Sequence, residues 1–254
     1  NPYEKSMPYH GSKQFSLCPE DVPRGLVIVS SVLLLVAVIL GLISAALPEL
    51  TCINPTSTQT GLKDGFTKGY TQVCFKQGDC QELPMKANRD AAFNRITGLR
   101  VAAYGLHIFS LLMDSLVLVG IIVVIVFWYK NDSDSTKIRI ASLSLGIALM
   151  IGGILFQLAV LLFHIEQFED KWLSSPELPC GFNQWAVDQR TTTEIKFGNS
   201  YVLLWVATLL TFVCSWILIG SFYCWSYRRA EERTFEISAR SINNDDCGEL
   251  DEWS

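Results

Sequence analysis

The chain has 254 residues, of which 50% are hydrophobic and 18% charged, with a formal net charge of −5. An acidic chain of pI near 5.3 excludes nucleic acid as a partner. The apolar excess is gathered into four stretches, each meeting the ~20 residues needed to cross a bilayer's hydrocarbon core, without the polar outer face that a soluble bundle shows every turn. That pattern excludes a soluble protein.

Residues 1–24 are polar and contain Pro2, Pro8, Pro19 and Pro23, which argue against a long helix ahead of the membrane. The first span, 25–48, is uncharged. It is too long for a signal-peptide core and has no small-residue cleavage site, so it reads as an uncleaved span. The loop 49–97 follows. From Phe66 to Cys80 it alternates aromatic or β-branched residues with polar ones, a strand-like period of two, and Gln77-Gly78-Asp79 supplies turn residues. A short hairpin closed by a Cys74–Cys80 disulfide is the natural reading. So small a sheet buries little core and gains from a staple. With Cys52 and Cys180 the set is even, which fits two disulfides in an oxidising compartment. A Cys52–Cys180 bridge would tie the two loops together, although four cysteines allow three connectivities.

The second span, 101–129, carries one carboxylate, Asp114, whose burial at bilayer depth costs about 2.5–3.5 kcal/mol. His107, Ser110 and Asp114 recur at i, i+3 and i+7 and line one helical face, which Tyr104 extends. Gln157 in the third span, 140–165, is a candidate partner for them. Such a stripe is either a proton or cation path or an inward-turned patch that fixes helix packing. A single acid and a single histidine make a thin pathway, which favours packing. Small residues in the third span (Ser142 with Gly146, Ala148 with Gly152 and Gly153) predict close backbone approach inside the bundle rather than dimerisation.

The loop 166–196 holds six acids against three bases, whereas the first loop holds six bases against five acids, so the loops attract, though solvated charges contribute little. The fourth span, 198–227, is uncharged. Residues 228–254 begin basic and end acidic, with Asp245, Asp246, Glu249, Asp251 and Glu252, and read as a disordered tail. Trp128 and Tyr129, with Tyr223, Trp225 and Tyr227, form an aromatic belt at one membrane face. Cys18 and Cys224 flank spans and are candidates for S-palmitoylation.

Arg24, Lys130, Lys137, Arg139, Arg228, Arg229 and Arg233 share one side in a four-span topology, which places both termini in the cytosol. The four loop cysteines then lie outside, and the sequon Asn131-Asp132-Ser133 stays inside and unglycosylated.

The layout over residues 25–227 resembles the claudin, peripheral myelin protein and calcium-channel γ-subunit superfamily. Gly69-Tyr70 leading to Cys74 and Cys80 resembles that family's Gly-Leu-Trp run with its two cysteines. Arg100, in Gly98-Leu99-Arg100-Val101-Ala102, resembles the arginine that opens the family's second span. Phe197-Gly198-Asn199-Ser200-Tyr201, followed by Leu204-Trp205-Val206-Ala207, is similar to the start of its fourth. Tyr70 stands one place from the family tryptophan, the Cys74–Cys80 gap is short, Cys52 is extra and Asp114 has no counterpart. The resemblance implies four spans with cytosolic ends, a small extracellular sheet and a cysteine pair in the first loop.

The expectation is therefore an all-α membrane protein, a four-helix transmembrane bundle with a small disulfide-stapled extracellular sheet. It has no Walker loop, zinc-ligand spacing, nucleophile elbow or paired carboxylates, so neither enzyme activity, cofactor nor metal is expected. The expected role is contact in the plasma membrane, as an auxiliary subunit of a channel or receptor or as a junction component among like tetraspans. The alternatives are a small conductor using His107 and Asp114, and a scaffold of membrane domains.

Overall fold

The structure, a computed structural model, describes residues 21–54, 65–75, 80–83, 85, 91–130, 135–172 and 193–247. It is a four-helix transmembrane bundle capped at one end by a small antiparallel sheet.

Helix α1 spans Asp21–Ala46. Pro23 sits in its first turn, where a missing N–H is tolerated. The helix stops at Ala46 because Pro48 follows and disfavours helical geometry at Leu47. Helix α2 (Ala91–Lys130) and helix α3 (Ser135–Trp172) have 40 and 38 residues, so each is nearly 60 Å long, about twice the ~30 Å of hydrocarbon. Their apolar stretches begin near Val101 and end near Ile165, so both project past the membrane on the side of the sheet. Helix α4 (Asn199–Cys247) projects on the other side.

The tail expectation is corrected for 228–247, which continues α4 as helix; 248–254 lie outside the described residues. Net acidity argued for disorder, but Ala230, Glu231, Glu232 and Arg233 are good helix formers that follow an already nucleated helix, where propagation is cheap.

Each helix packs on its two neighbours in a ring, α1 on α2 and α4, α3 on α2 and α4. The interior has two apolar clusters. One holds Val27, Leu34, Val117, Ile121, Leu149 and Leu218, and the other, nearer the sheet, holds Leu50, Tyr70, Leu111, Phe156, Phe163 and Leu204. The small residues of α3 work within the bundle, as expected. A Cβ on Gly146 would meet Ile219 of α4 at 2.9 Å, and one on Gly153 would meet Phe212 at 2.9 Å.

The sheet has five strands: β1 (Thr51–Asn54), β2 (Phe66–Lys68), β3 (Gln72–Phe75), β4 (Cys80–Glu82) and β5 (Glu194–Phe197), in the order β4-β3-β2-β1-β5, all antiparallel. Cys74 faces Cys80 in register, and the two form the expected disulfide. The turn residues 77–79 lie outside the described residues. Strand β5 comes from the second loop and pairs with β1 from Thr51↔Phe197 to Asn54↔Glu194. A backbone ladder therefore joins the loops. Cys52 keeps a free thiol, so the expected second bridge through it is not formed; Cys180 lies outside the described residues. Burial, then the Glu49 carboxylate, raises the Cys52 thiol above its ordinary pKa.

Candidate functional site

Among the described residues, polar chemistry is set in unusual surroundings at a buried belt inside the bundle, a buried charged junction beneath the sheet and an apolar groove on the membrane-facing surface.

The belt separates the two apolar clusters. His107, Ser110 and Asp114 are all buried and face the interior as their spacing predicts. His107 Nε2 lies 3.2 Å from the Gly41 carbonyl oxygen of α1. Ser110 donates to the Gly152 carbonyl of α3 at 2.7 Å, and Thr211 of α4 donates to Asp114 Oδ2 at 2.8 Å. The stripe on α2 thus reaches all three other helices. A Cβ on Gly152 would lie 2.7 Å from Asp114 Oδ1, so this glycine makes room for the carboxyl. Gln157 is not part of the belt. It is exposed on the outer face of α3, and the partner role expected of it is taken by Thr211. A lone threonine in an apolar span gives little sequence signal, because its hydroxyl is usually absorbed by its own helix.

Replacing Asp114 by the neutral, isosteric Asn keeps an acceptor for Thr211 and should change unfolding stability by less than about 1 kcal/mol. Asp114→Leu removes that acceptor from a buried site and should lower stability by about 1–3 kcal/mol. Thermal unfolding in a single detergent checks the ranking, and equal losses would refute the packing role.

The charged junction was not foreseen as a unit. Lys68, at the end of β2, is only 2% exposed. Its ammonium donates to Glu166 Oε1 at 2.8 Å and Asp170 Oδ2 at 2.5 Å, two carboxylates one turn apart on α3. Arg100 Nη1 of α2 lies 3.7 Å from the same Glu166 oxygen, and Gln167 donates to Glu166 Oε2 at 2.6 Å. Burial lowers the Lys68 pKa, but Asp170 and Glu166 outweigh it and hold the ammonium above its ordinary value. Beside the junction, Tyr70 enters the bundle's mouth and packs on Tyr104, His107 and Phe163 with ring centroids 5.4–5.5 Å apart. Burial, with Glu166, pushes its phenol well above the ordinary range. The expected attraction between the loops thus takes a buried form rather than a solvated one. Its signal was the basic first loop set against Glu166 and Asp170, spaced i, i+4 at a span end. Arg95–Glu169, at 2.5 Å with Arg95 72% exposed, is the solvated kind.

The groove lies between α3 and α4, with a volume of about 410 Å³, lined by Ile154, Gln157, Leu158, Leu161, His164 and Trp205 among others. His164 Nε2 is 2.9 Å from the Tyr201 hydroxyl, and its ring stacks on Phe197 at 5.2 Å. At the far end of the bundle Trp128 meets Trp225 edge-on at 4.5 Å and carries the Arg24 guanidinium 5.4 Å above its ring. Cys224 beside them is half-buried and forms no disulfide, whereas Cys18 and the sequon at Asn131 lie outside the described residues.

Compared with known proteins, the chain matches no family model and no curated sequence is recognisably similar to it. The geometry defines a multi-pass membrane protein whose sheet is anchored in its bundle.

Proposed function

We propose that the protein acts by contact, as an auxiliary subunit of a larger membrane complex or as a cell-contact component, and not as an enzyme. The observation that carries this reading is Gln157, an amide exposed on the outer face of α3 within an apolar groove. An amide facing hydrocarbon gains when a neighbouring helix supplies a hydrogen-bond partner, typically by about 1 kcal/mol. The junction beneath the sheet supports the same reading, because it makes the sheet a rigid continuation of the helices for a partner to engage. The resemblance to the claudin superfamily at Gly69-Tyr70, Cys74, Cys80 and Arg100 agrees with it.

Purification of the full chain in mild detergent should bring down a membrane partner, a channel, receptor or like tetraspan. Gln157→Leu should weaken that capture about fivefold with thermal stability unchanged. Capture unaffected by Gln157→Leu would remove the groove from the argument. The conductor reading would replace it if the protein alone passed a current that Asp114→Asn abolished.

In this reading the protein sits in the plasma membrane with the sheet outside and both termini cytosolic. A disulfide at Cys74–Cys80 suits an oxidising exterior, and Arg24, Arg139, Arg229 and Arg233 gather at the opposite end. A C-terminal tag should resist a membrane-impermeant label on intact cells and react once they are permeabilised. Labelling of intact cells would reverse the orientation.

A further inference from the structure

Every span turns an apolar face outward, so apolarity alone marks none of them as an interface. Serines on the outer side of the spans are answered within their own helix: Ser31 donates to the Ile28 carbonyl, Ser115 to Leu111 and Ser144 to Ile140. Gln157 differs. It is the one carboxamide side chain in spans 25–48, 101–129, 140–165 and 200–227. It is exposed and makes no hydrogen bond among the described residues. It sits eight residues, about 12 Å, inside the span end at Ile165, below the level of the headgroups.

On the same side of α3, Ile154, Leu161 and Phe168 are exposed and Met150 and His164 half-buried. With Gln157 they recur at spacings of 4, 3, 4, 3 and 4, the period at which two parallel helices keep one seam in contact. The groove of about 410 Å³ beside α4 leaves room along this seam for a neighbour's side chains. A lone polar residue in such a seam fixes register and partner number, because a slip leaves it unpaired among apolar groups. The amide itself selects what lies opposite. It both donates and accepts, so a second carboxamide answers both functions. A foreign helix would have to carry a polar group at that one depth, whereas a second copy has it by symmetry. Two-fold pairs are the commonest oligomers, and an axis along the membrane normal holds every residue of two copies at equal depth. Gln157 of one copy then meets Gln157 of the other. Resting on the contact reading above, we propose that two copies of this chain pair along this face of α3, held by reciprocal hydrogen bonds between their Gln157 amides.

The test uses the full chain, labelled at its C-terminus with donor or acceptor fluorophores and reconstituted in phosphatidylcholine vesicles. Energy transfer between copies is followed as the protein-to-lipid ratio is lowered. The wild type should show transfer that an excess of unlabelled chain abolishes. Gln157→Leu, at an exposed position, should raise the ratio at half-maximal transfer about fivefold with thermal stability unchanged. Gln157→Asn, which keeps the amide, should raise it less. Val119→Ala, on the outward face of α2, should leave it where it is. Transfer no greater than random crowding produces would overturn the pair, and so would a midpoint unmoved by Gln157→Leu or moved equally by Val119→Ala. If the chain stays monomeric in vesicles but captures a foreign membrane protein, and Gln157→Leu weakens that capture, the second copy is overturned as the occupant and the contact reading stands. A chain that pairs through Gln157 and captures nothing else would uphold the pair and remove the auxiliary-subunit reading alone.

Discussion

Glu166→Leu should be the most damaging single substitution at the junction, lowering unfolding stability by about 3–5 kcal/mol. Glu166 is fully buried and one of its oxygens lies within 4 Å of both the Lys68 ammonium and the Arg100 guanidinium. Its loss leaves two buried cations with Asp170 as their remaining described carboxylate partner, and an uncompensated buried charge costs far more than a lost surface pair. Lys68→Met should be comparably harmful, for it strands Glu166 and Asp170 together. The double variant should recover much of the loss, because Arg100 and Asp170 are left as opposite charges in a drier site. Glu169→Leu, which breaks the exposed pair with Arg95, should cost no more than about 1 kcal/mol. Detergent unfolding curves of the four variants check the ranking. Parity between Glu166→Leu and Glu169→Leu would mean that the buried network contributes no more than a surface pair. Because the Lys68 pKa is raised, its contribution is complete below its ordinary value near 10.4 and is lost only as pH climbs through the higher folded one. The ammonium therefore stays in place at neutral pH.

Gly198→Ala should be the second large effect, at about 3 kcal/mol, the upper end of ordinary overpacking. A Cβ at Gly198 would overlap the Glu49 carbonyl oxygen. That oxygen cannot move aside freely, since it accepts the Ser200 N–H at 3.3 Å, and Gly198 N–H itself donates to the Leu50 carbonyl at 3.0 Å. On the other side of the same connection a Cβ at Gly69 would meet Pro48 Cα at 2.8 Å. The chain between α1 and β1 thus passes between two glycines, one beside β2 and one at the start of α4. Gly69→Ala should cost somewhat less, and Gly105→Ala, with nothing within 4 Å of the new Cβ, should be neutral or slightly stabilising. Surface expression and thermal unfolding check the order, and a well-tolerated Gly198→Ala would show that the α1–β1 connection can yield.

The sequence by itself determined the four spans, the strand character of Phe66 to Cys80 with its disulfide, and the inward face formed by His107, Ser110 and Asp114. Each rests on a local regularity: an apolar run longer than the bilayer is thick, an alternation of period two, or a helical period of 3.6. What only the tertiary structure decided was pairing between segments far apart in the chain. Gln157 was the candidate partner for the stripe and Thr211 was not considered, because a span's own sequence does not say which face its neighbours cover; packing turned Gln157 outward and Thr211 inward. The second loop added β5 to the sheet by backbone hydrogen bonds, which carry no side-chain signature. Lys68, Arg100, Glu166 and Asp170 looked like ordinary charges at loop and span ends. They became a buried network because α2 and α3 are long enough to rise past the membrane and meet the sheet.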